Sequence, residues 1–191
     1  MSELAQSALN GAQAHAAVTI RELGLQGMIT LRADLSDKKL ATALKALTGL
    51  AVPAPRCIEV AGEGAISVAW MSPDELLILC PHADAPKLEA DLATKLKTIH
   101  HLAVNVSDAR AIFAIEGQGA REALAKVTPA DLHPEALQEG ELRRSRLAQV
   151  AAAFWIEGED SIRLICFRSV AQYVFDLLAM SAKEGGEVGY F

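Results

Sequence analysis

The sequence has few aromatic residues, few cysteines, less positive than negative charge, and no long apolar run. Its 191 residues include 18 lysines and arginines against 24 aspartates and glutamates, a net charge of −6. A nucleic-acid partner normally demands a basic face, so that class is excluded. The one basic cluster, Arg143-Arg144-Ser145-Arg146, is short and has no interleaved aromatics. It reads as a solvated or subunit-facing edge. Three cysteines, Cys57, Cys80 and Cys166, are far apart and odd in number, and none belongs to a C-x-x-C pair. They read as buried reduced thiols, not as metal ligands or a redox couple. No apolar run approaches the ~20 residues of a spanning helix, so no membrane role is expected. The N-terminal stretch has neither the basic start nor the apolar middle of a signal peptide, and a cytoplasmic location is expected.

Catalytic signatures are missing as well. Gly117-Gln118-Gly119-Ala120-Arg121 superficially resembles a phosphate loop. It lacks the G-x-G-x-x-G spacing and the Lys-Ser/Thr of a P-loop. No nucleophile elbow of the G-x-S-x-G type occurs. His100 and His101 are adjacent at a helix-to-strand handover, so they point to opposite faces and cannot share one metal. Two further groups have both a structural and a functional reading. Asp108 and Arg110 join two halves of the chain, where a carboxylate can be catalytic but more often holds a turn. Arg168-Ser169 precedes the last helix, where an anion can bind, but a helix cap is the commoner use. The expectation is therefore no catalytic residue, no cofactor-binding residue and no metal ligand in this chain.

What is present is core: 51% of the residues are apolar. A chain of this size can bury roughly 70% of its unfolded surface. The pattern also repeats. Residues 66–80 and residues 151–166 each read as an apolar strand carrying one of the two tryptophans, Trp70 or Trp155, then a polar turn, then a strand ending in cysteine. Each is followed by a helix, which implies two related α+β halves. By this reading the tryptophans occupy equivalent places.

Residues 27–33 read as a strand, followed by Asp34-Leu35-Ser36 capping a helix to Thr48, which Gly49 stops. A short strand at 57–60, a turn at 62–64, a strand at 65–71 and its return at 76–80 follow. Asp84 and Pro86 start a helix with Leu88, Leu92 and Leu96 on its inner stripe. A strand at 102–106 closes the first half. The second half has a clean strand at 110–116, a helix at 120–127, a loop, one bent strand or two over 142–155, and a strand at 161–167. The final helix, 170–182, is capped by Ser169. The fold class is thus α+β, with two ferredoxin-like βαββαβ-type halves of mostly antiparallel sheet that share a sheet or pack face to face. Residues 1–24 read as an arm outside the core. Residues 25–182 form one domain of two halves, 25–107 and 108–182. Residues 183–191 form a tail ending in Tyr190-Phe191, and arm and tail are both expected to bury against a partner.

Several of these stretches together resemble the gamma subunit of heterotetrameric sarcosine oxidase. They are Trp70-Met71-Ser72-Pro73-Asp74-Glu75, Val106-Ser107-Asp108-Ala109-Arg110, Gly117-x-Gly119-Ala120-Arg121-Glu122-x-Leu124-x-Lys126, Asp131-Leu132-His133-Pro134 and Arg168-Ser169-x-Ala171-x-Tyr173. They occur in that order, the resemblance as a whole runs from about residue 25 to residue 182, and Phe175 stands where the family pattern has tryptophan. The resemblance implies a four-chain bacterial enzyme that demethylates sarcosine to glycine, produces hydrogen peroxide and can pass the one-carbon unit to tetrahydrofolate. It places FAD, FMN, NAD, tetrahydrofolate and zinc in the alpha, beta and delta partners. The gamma subunit would carry none of them and pack on alpha. It also implies a fold similar to the folate-binding domain of glycine-cleavage aminomethyltransferase. A stand-alone folate-binding aminomethyltransferase relative is the alternative. Those enzymes are considerably longer and have a further β-barrel domain.

Overall fold

The structure, a computed structural model, describes residues 5–62 and 65–189. The expected turn at 62–64 therefore falls partly outside the described residues, as do Tyr190 and Phe191.

Two compact units divide the chain, with boundaries after Leu25 and between Ser107 and Asp108. Each has its own antiparallel sheet. In the unit from Gln26 to Ser107 the order along the chain is β3 (Gly27–Ala33), α1 (Lys38–Thr48), β4 (Ile58–Ala61), β5 (Ile66–Ser72), β6 (Glu75–Cys80), α2 (Ala85–Leu96) and β7 (His101–Asn105). The sheet order is β4-β5-β6-β3-β7. Leaving aside β4 at the edge, this is the ferredoxin-like arrangement, in which the last strand lies beside the first. Leu40 and Leu44 of α1 and Leu88, Leu92 and Leu96 of α2 pack onto Ile29, Leu31, Val68, Leu76 and Ile78. Each such side chain contributes roughly 1.5–3 kcal/mol when fully buried. Helix α1 is capped by Asp37, whose carboxylate accepts from Lys39 N–H at 2.7 Å. Asp34, the expected cap, instead closes a turn on Ser36 one step earlier. Gly49 ends the helix in the left-handed region, φ 78°, a conformation that suits glycine.

The other unit contains β8 (Arg110–Glu116), α3 (Ala120–Ala125), β9 (Leu142–Leu147), β10 (Val150–Gly158), β11 (Ser161–Phe167) and α4 (Ala171–Ser181). The region 142–155 is thus two strands, reversing at Ala148 and Gln149. By itself this series ends on a helix and leaves one edge of β8, the one away from β11, without a strand. That place is taken by β2 (Thr19–Glu22), which β1 (Gln13–His15) flanks in turn. The sheet order is β1-β2-β8-β11-β10-β9.

The reading of residues 1–24 as an arm outside the core is therefore corrected. Ile20 is 0% exposed and Val18 3%, and both belong to the core with Phe113, Phe154, Leu164, Val174 and Leu178. Backbone bonds tie the segment in at both ends, from Leu23 N to Ile112 O at 2.9 Å and from Ala17 N to Ala182 O at 3.0 Å. The physical reason is that β8 needs a partner on its free edge, and the segment offers Val18, Thr19 and Ile20, consecutive β-branched residues that favour a strand there.

The tryptophans are not equivalent, which is a second correction. Both hairpins turn over two residues and carry a bulge just before the turn, so they align on Ser72↔Glu75 and Gly158↔Ser161. Cys80 and Cys166 then coincide. Trp70 falls five positions before Glu75, however, and Trp155 six before Ser161. One residue of offset flips a strand side chain to the other face. Trp70 accordingly packs on its unit's helix-side core, whereas Phe154 and Ile156, not Trp155, do so in the other. The architecture repeats, but the tryptophans do not mark it.

Candidate functional site

The polar residues singled out in the sequence fall in separate places. Ser107 Oγ accepts from Met28 N–H at 2.9 Å and donates to Asn105 Oδ1 at 2.6 Å, which closes the end of β7. Asp108 is exposed in the following turn. The Arg110 guanidinium lies over the Phe167 ring at 5.5 Å, a cation–π contact. Arg110 thus has a structural partner, while the turn bond expected of Asp108 is made by Asn105, whose side chain accepts from Ser107 N–H at 3.1 Å.

Arg168 donates to Ser7 O at 3.2 Å. Ser7 Oγ in turn donates to Glu22 Oε2 at 2.9 Å, and Gly11 N–H donates to the same oxygen at 2.7 Å. Arg168 and the buried Glu22 together fasten the N-terminal segment. Ser169 does not cap the last helix as the sequence suggests. The chain enters α4 through a 3₁₀ turn, Arg168–Val170, without a side-chain cap.

The glycine-rich stretch is also structural. Gly117 has φ +128° and packs against Val18, where a Cβ would sit 3.4 Å from its side chain. Gly119 lies nearer still, with 3.3 Å for the same test. The two glycines let the start of α3 approach the N-terminal segment. Arg121 then reaches across the loop, and its Nη1 donates to Leu132 O and Leu137 O, both at 2.9 Å. Burial pulls the Arg121 pKa downward. The sequence showed Arg121 only as part of a motif; its task depends on a loop that local patterning does not describe. Within that loop Asp131 accepts from His133 N–H at 2.9 Å, and Leu132 is buried.

Three strands are joined by a network the sequence reading missed. Glu116 on β8 accepts from Arg21 on β2 at 3.2 Å and from Arg163 on β11 at 3.1 Å. Burial pushes the Glu116 carboxyl up, but the hydrogen bonds and charges of Arg163 and Arg21 outweigh it, and its pKa lies below the ordinary value. Arg163 also pairs with Glu157. Arg144 and Arg146 project from the edge strand β9, a placement that discourages edge-to-edge pairing.

Of the three thiols expected to be buried, Cys80 and Cys166 are, whereas Cys57, just before β4 at the sheet edge, is half-exposed. Burial pushes Cys80 up to about 11, helped by Asp84, and Cys166 up to about 12. Such thiols stay protonated, and thiolate is the reactive form. His101 Nδ1 lies 3.1 Å from Ile99 O, while His100 is exposed. Among the described residues no group of three or more His, Cys, Asp or Glu is arranged to hold a metal ion. Among them, too, no helix is long and apolar enough to cross a membrane.

Residues 32–184 match the model of the "Sarcosine oxidase, gamma subunit family". The chain is 33% identical to the sarcosine oxidase subunit gamma of Corynebacterium sp. (strain U-96) over 175 residues, covering 90% of this chain and 83% of that one. It is similar to a chain of the heterotetrameric sarcosine oxidase from Corynebacterium sp. U-96, solved in complex with pyrrole 2-carboxylate. There the TM-score is 0.80 at 27% identity, over 91% of this chain and 89% of that chain. The glycine cleavage system aminomethyltransferase T from Bartonella henselae gives a TM-score of 0.60 at 14% identity. That match covers 80% of this chain and 43% of the other, a likeness of fold alone. The chain belongs to the sarcosine oxidase gamma subunit family.

Proposed function

We propose that this chain is the non-catalytic gamma subunit of a heterotetrameric, cytoplasmic sarcosine oxidase and that it packs on the alpha subunit. FAD, FMN, NAD, tetrahydrofolate and zinc would then belong to the alpha, beta and delta chains. The observation that carries this reading is the fate of the reactive side chains. Arg121 and Arg168 bind backbone carbonyls, Glu116 is saturated by two arginines, and the buried thiols are held protonated. These groups hold the fold and do not converge on a substrate-sized space. Zinc fits the donor set poorly, because among the described residues no three His, Cys, Asp or Glu side chains are grouped to hold it.

The test is to produce the partner chains with and without this one, and to assay this chain alone. Omitting it should lower the yield of assembled, flavin-loaded oxidase. The isolated chain should neither oxidise sarcosine nor transfer a methylene group to tetrahydrofolate. Either activity in the isolated chain overturns the proposal. The aminomethyltransferase alternative predicts that transfer, and only the fold likeness supports it.

A further inference from the structure

Within the unit from Gln26 to Ser107, α1 and α2 lie side by side, and residues of both line a groove of about 370 Å³. Thr42, Ala43 and Ala46 of α1 supply small side chains to it. Three exposed lysines stand around them: Lys38 and Lys39 in the first turn of α1, and Lys95 in the last turn of α2. Lys39 Nζ donates to Thr98 Oγ1, just beyond α2, at 3.3 Å, so its ammonium reaches from one helix to the end of the other.

These charges are not answered from within the chain. Among the described residues none of the three lysines is in an ion pair. The carboxylates nearest in sequence are engaged elsewhere or stand apart. Asp37 accepts from the Lys39 backbone N–H at 2.7 Å, and Asp34 holds Ser36. Asp91, one turn before Lys95, is half-buried and makes no ion pair with it. An ammonium has three donors, and Lys39 uses one of them on Thr98. The placement also works against α1 itself. Cations in a first turn oppose the helix macrodipole, and this first turn holds Lys38 and Lys39 and no acidic residue. All of α1 carries three lysines and no acid, in a chain of net charge −6. Like charges gathered at a helix end that disfavours them, without partners in the chain, are accounted for by a partner outside it.

We infer that this groove is a docking face for an acidic segment of the partner subunit, given the packing on an alpha chain proposed for it, and that Lys38, Lys39 and Lys95 pair with that segment's carboxylates. Charge complementarity selects the occupant. A carboxylate in the groove meets donors from both helices in charge-assisted hydrogen bonds. An apolar occupant would desolvate three ammoniums and pair none of them. Exposed ion pairs are weak one by one and are screened by salt, so the three lysines act together and chiefly at low ionic strength.

Carbodiimide coupling tests this on the full chain, alone and in the assembled oxidase, because it joins an amine to a carboxylate only where the two touch. In the oxidase, Lys38, Lys39 or Lys95 should be linked to aspartates or glutamates of the partner subunit. Acetylation of the three should also be several-fold slower there than in the chain alone, with Lys87, at the other end of α2, as the reference. The double variant Lys38→Glu/Lys39→Glu separates docking from folding. It takes the opposing charges out of the first turn, so the chain alone should unfold no earlier than its parent. Its association with the partner should nevertheless slow about tenfold at low salt and approach the parent's rate at about 0.5 M salt. Acetylation at equal rates in the chain and in the oxidase, or an unchanged association rate for the variant, overturns the inference and leaves the packing on alpha standing. Protection without links to partner carboxylates, or with links that join two copies of this chain, overturns it as well, because the groove then holds another occupant. A chain that does not assemble with the alpha subunit at all removes the packing and the docking face together.

Discussion

The unit from Gln26 to Ser107 closes its own sheet, whereas the unit after it borrows a strand from the N-terminus. In the first, β7 follows α2 after four residues and pairs with β3. In the second, no described residue after α4 pairs with β8, and β2 does so from 95 positions away. The two solutions fill the same place in the same topology. They differ in what holds them. The β7 strand is short and half-exposed, with Leu102 and Val104 open to solvent. By contrast β2 puts Ile20 into the core and is fixed by Arg168, Glu22, Glu116 and the close approach of Gly117 and Gly119. A strand supplied from far along the chain carries a larger loop-closure cost, and these extra ties offset it.

The comparison is broken most severely by removing the borrowed strand. Deleting residues 1–22 should abolish cooperative unfolding of the unit containing β8, because it bares that strand's edge and opens the core at Val18 and Ile20. The read-out is a urea titration followed by far-UV circular dichroism, with a soluble, two-transition chain as the contrary result. Ile20→Ala should cost about 2–5 kcal/mol by the same titration, as expected for a buried aliphatic truncation. Leu25→Ala, at a residue 40% exposed, should stay within about 0.5 kcal/mol.

Arg121→Met comes next. It leaves the carbonyls of Leu132 and Leu137 without their donor, at a cost of about 1–3 kcal/mol. Amide exchange should quicken across residues 130–138 and remain unchanged in β3 to β7. Uniform loosening of both units would show that Arg121 acts more widely than on its loop.

The smallest effect is electrostatic. The Glu116 pKa is depressed in the folded chain, so its contribution is present above the ordinary value of 4.5 and is lost as pH falls through the folded value. The group is about a third exposed, so solvent screening keeps the effect small. Glu116→Gln should therefore lower stability slightly and evenly between pH 6 and 8 and converge with the parent chain at acid pH, which flattens the acid limb. A loss of the same size at every pH would mean that packing, and not the charge network, is what Glu116 supplies.

Legibility in the sequence followed the range of the interactions. The strand β3 and helices α1 and α2 were plain because their periodicity is local and their apolar stripes are clean. The alternation of Ala111 to Ile115 likewise gave β8. Residues 13–22 were not legible as strands, being short runs whose burial depends on a β8 edge far along the chain. A signal for them did exist: the second half ended on a helix and lacked a closing strand, and the N-terminal residues lacked a place. The tryptophan pairing misled because similar spacing was taken for the same register, and one residue separates the two faces of a strand. The structural work of Arg121, Arg168 and Glu116 was not legible, because their partners are set by tertiary contacts.

The central claim, that the N-terminal segment is the closing strand of the second unit, is tested most directly by amide hydrogen exchange on the intact chain. The amide of Leu23, which donates to Ile112 O at 2.9 Å, should exchange about as slowly as the amides of β8 and more slowly than those of Glu184 to Val188. Exchange of Leu23 at the rate of an unstructured chain end, with β8 still protected, would contradict it.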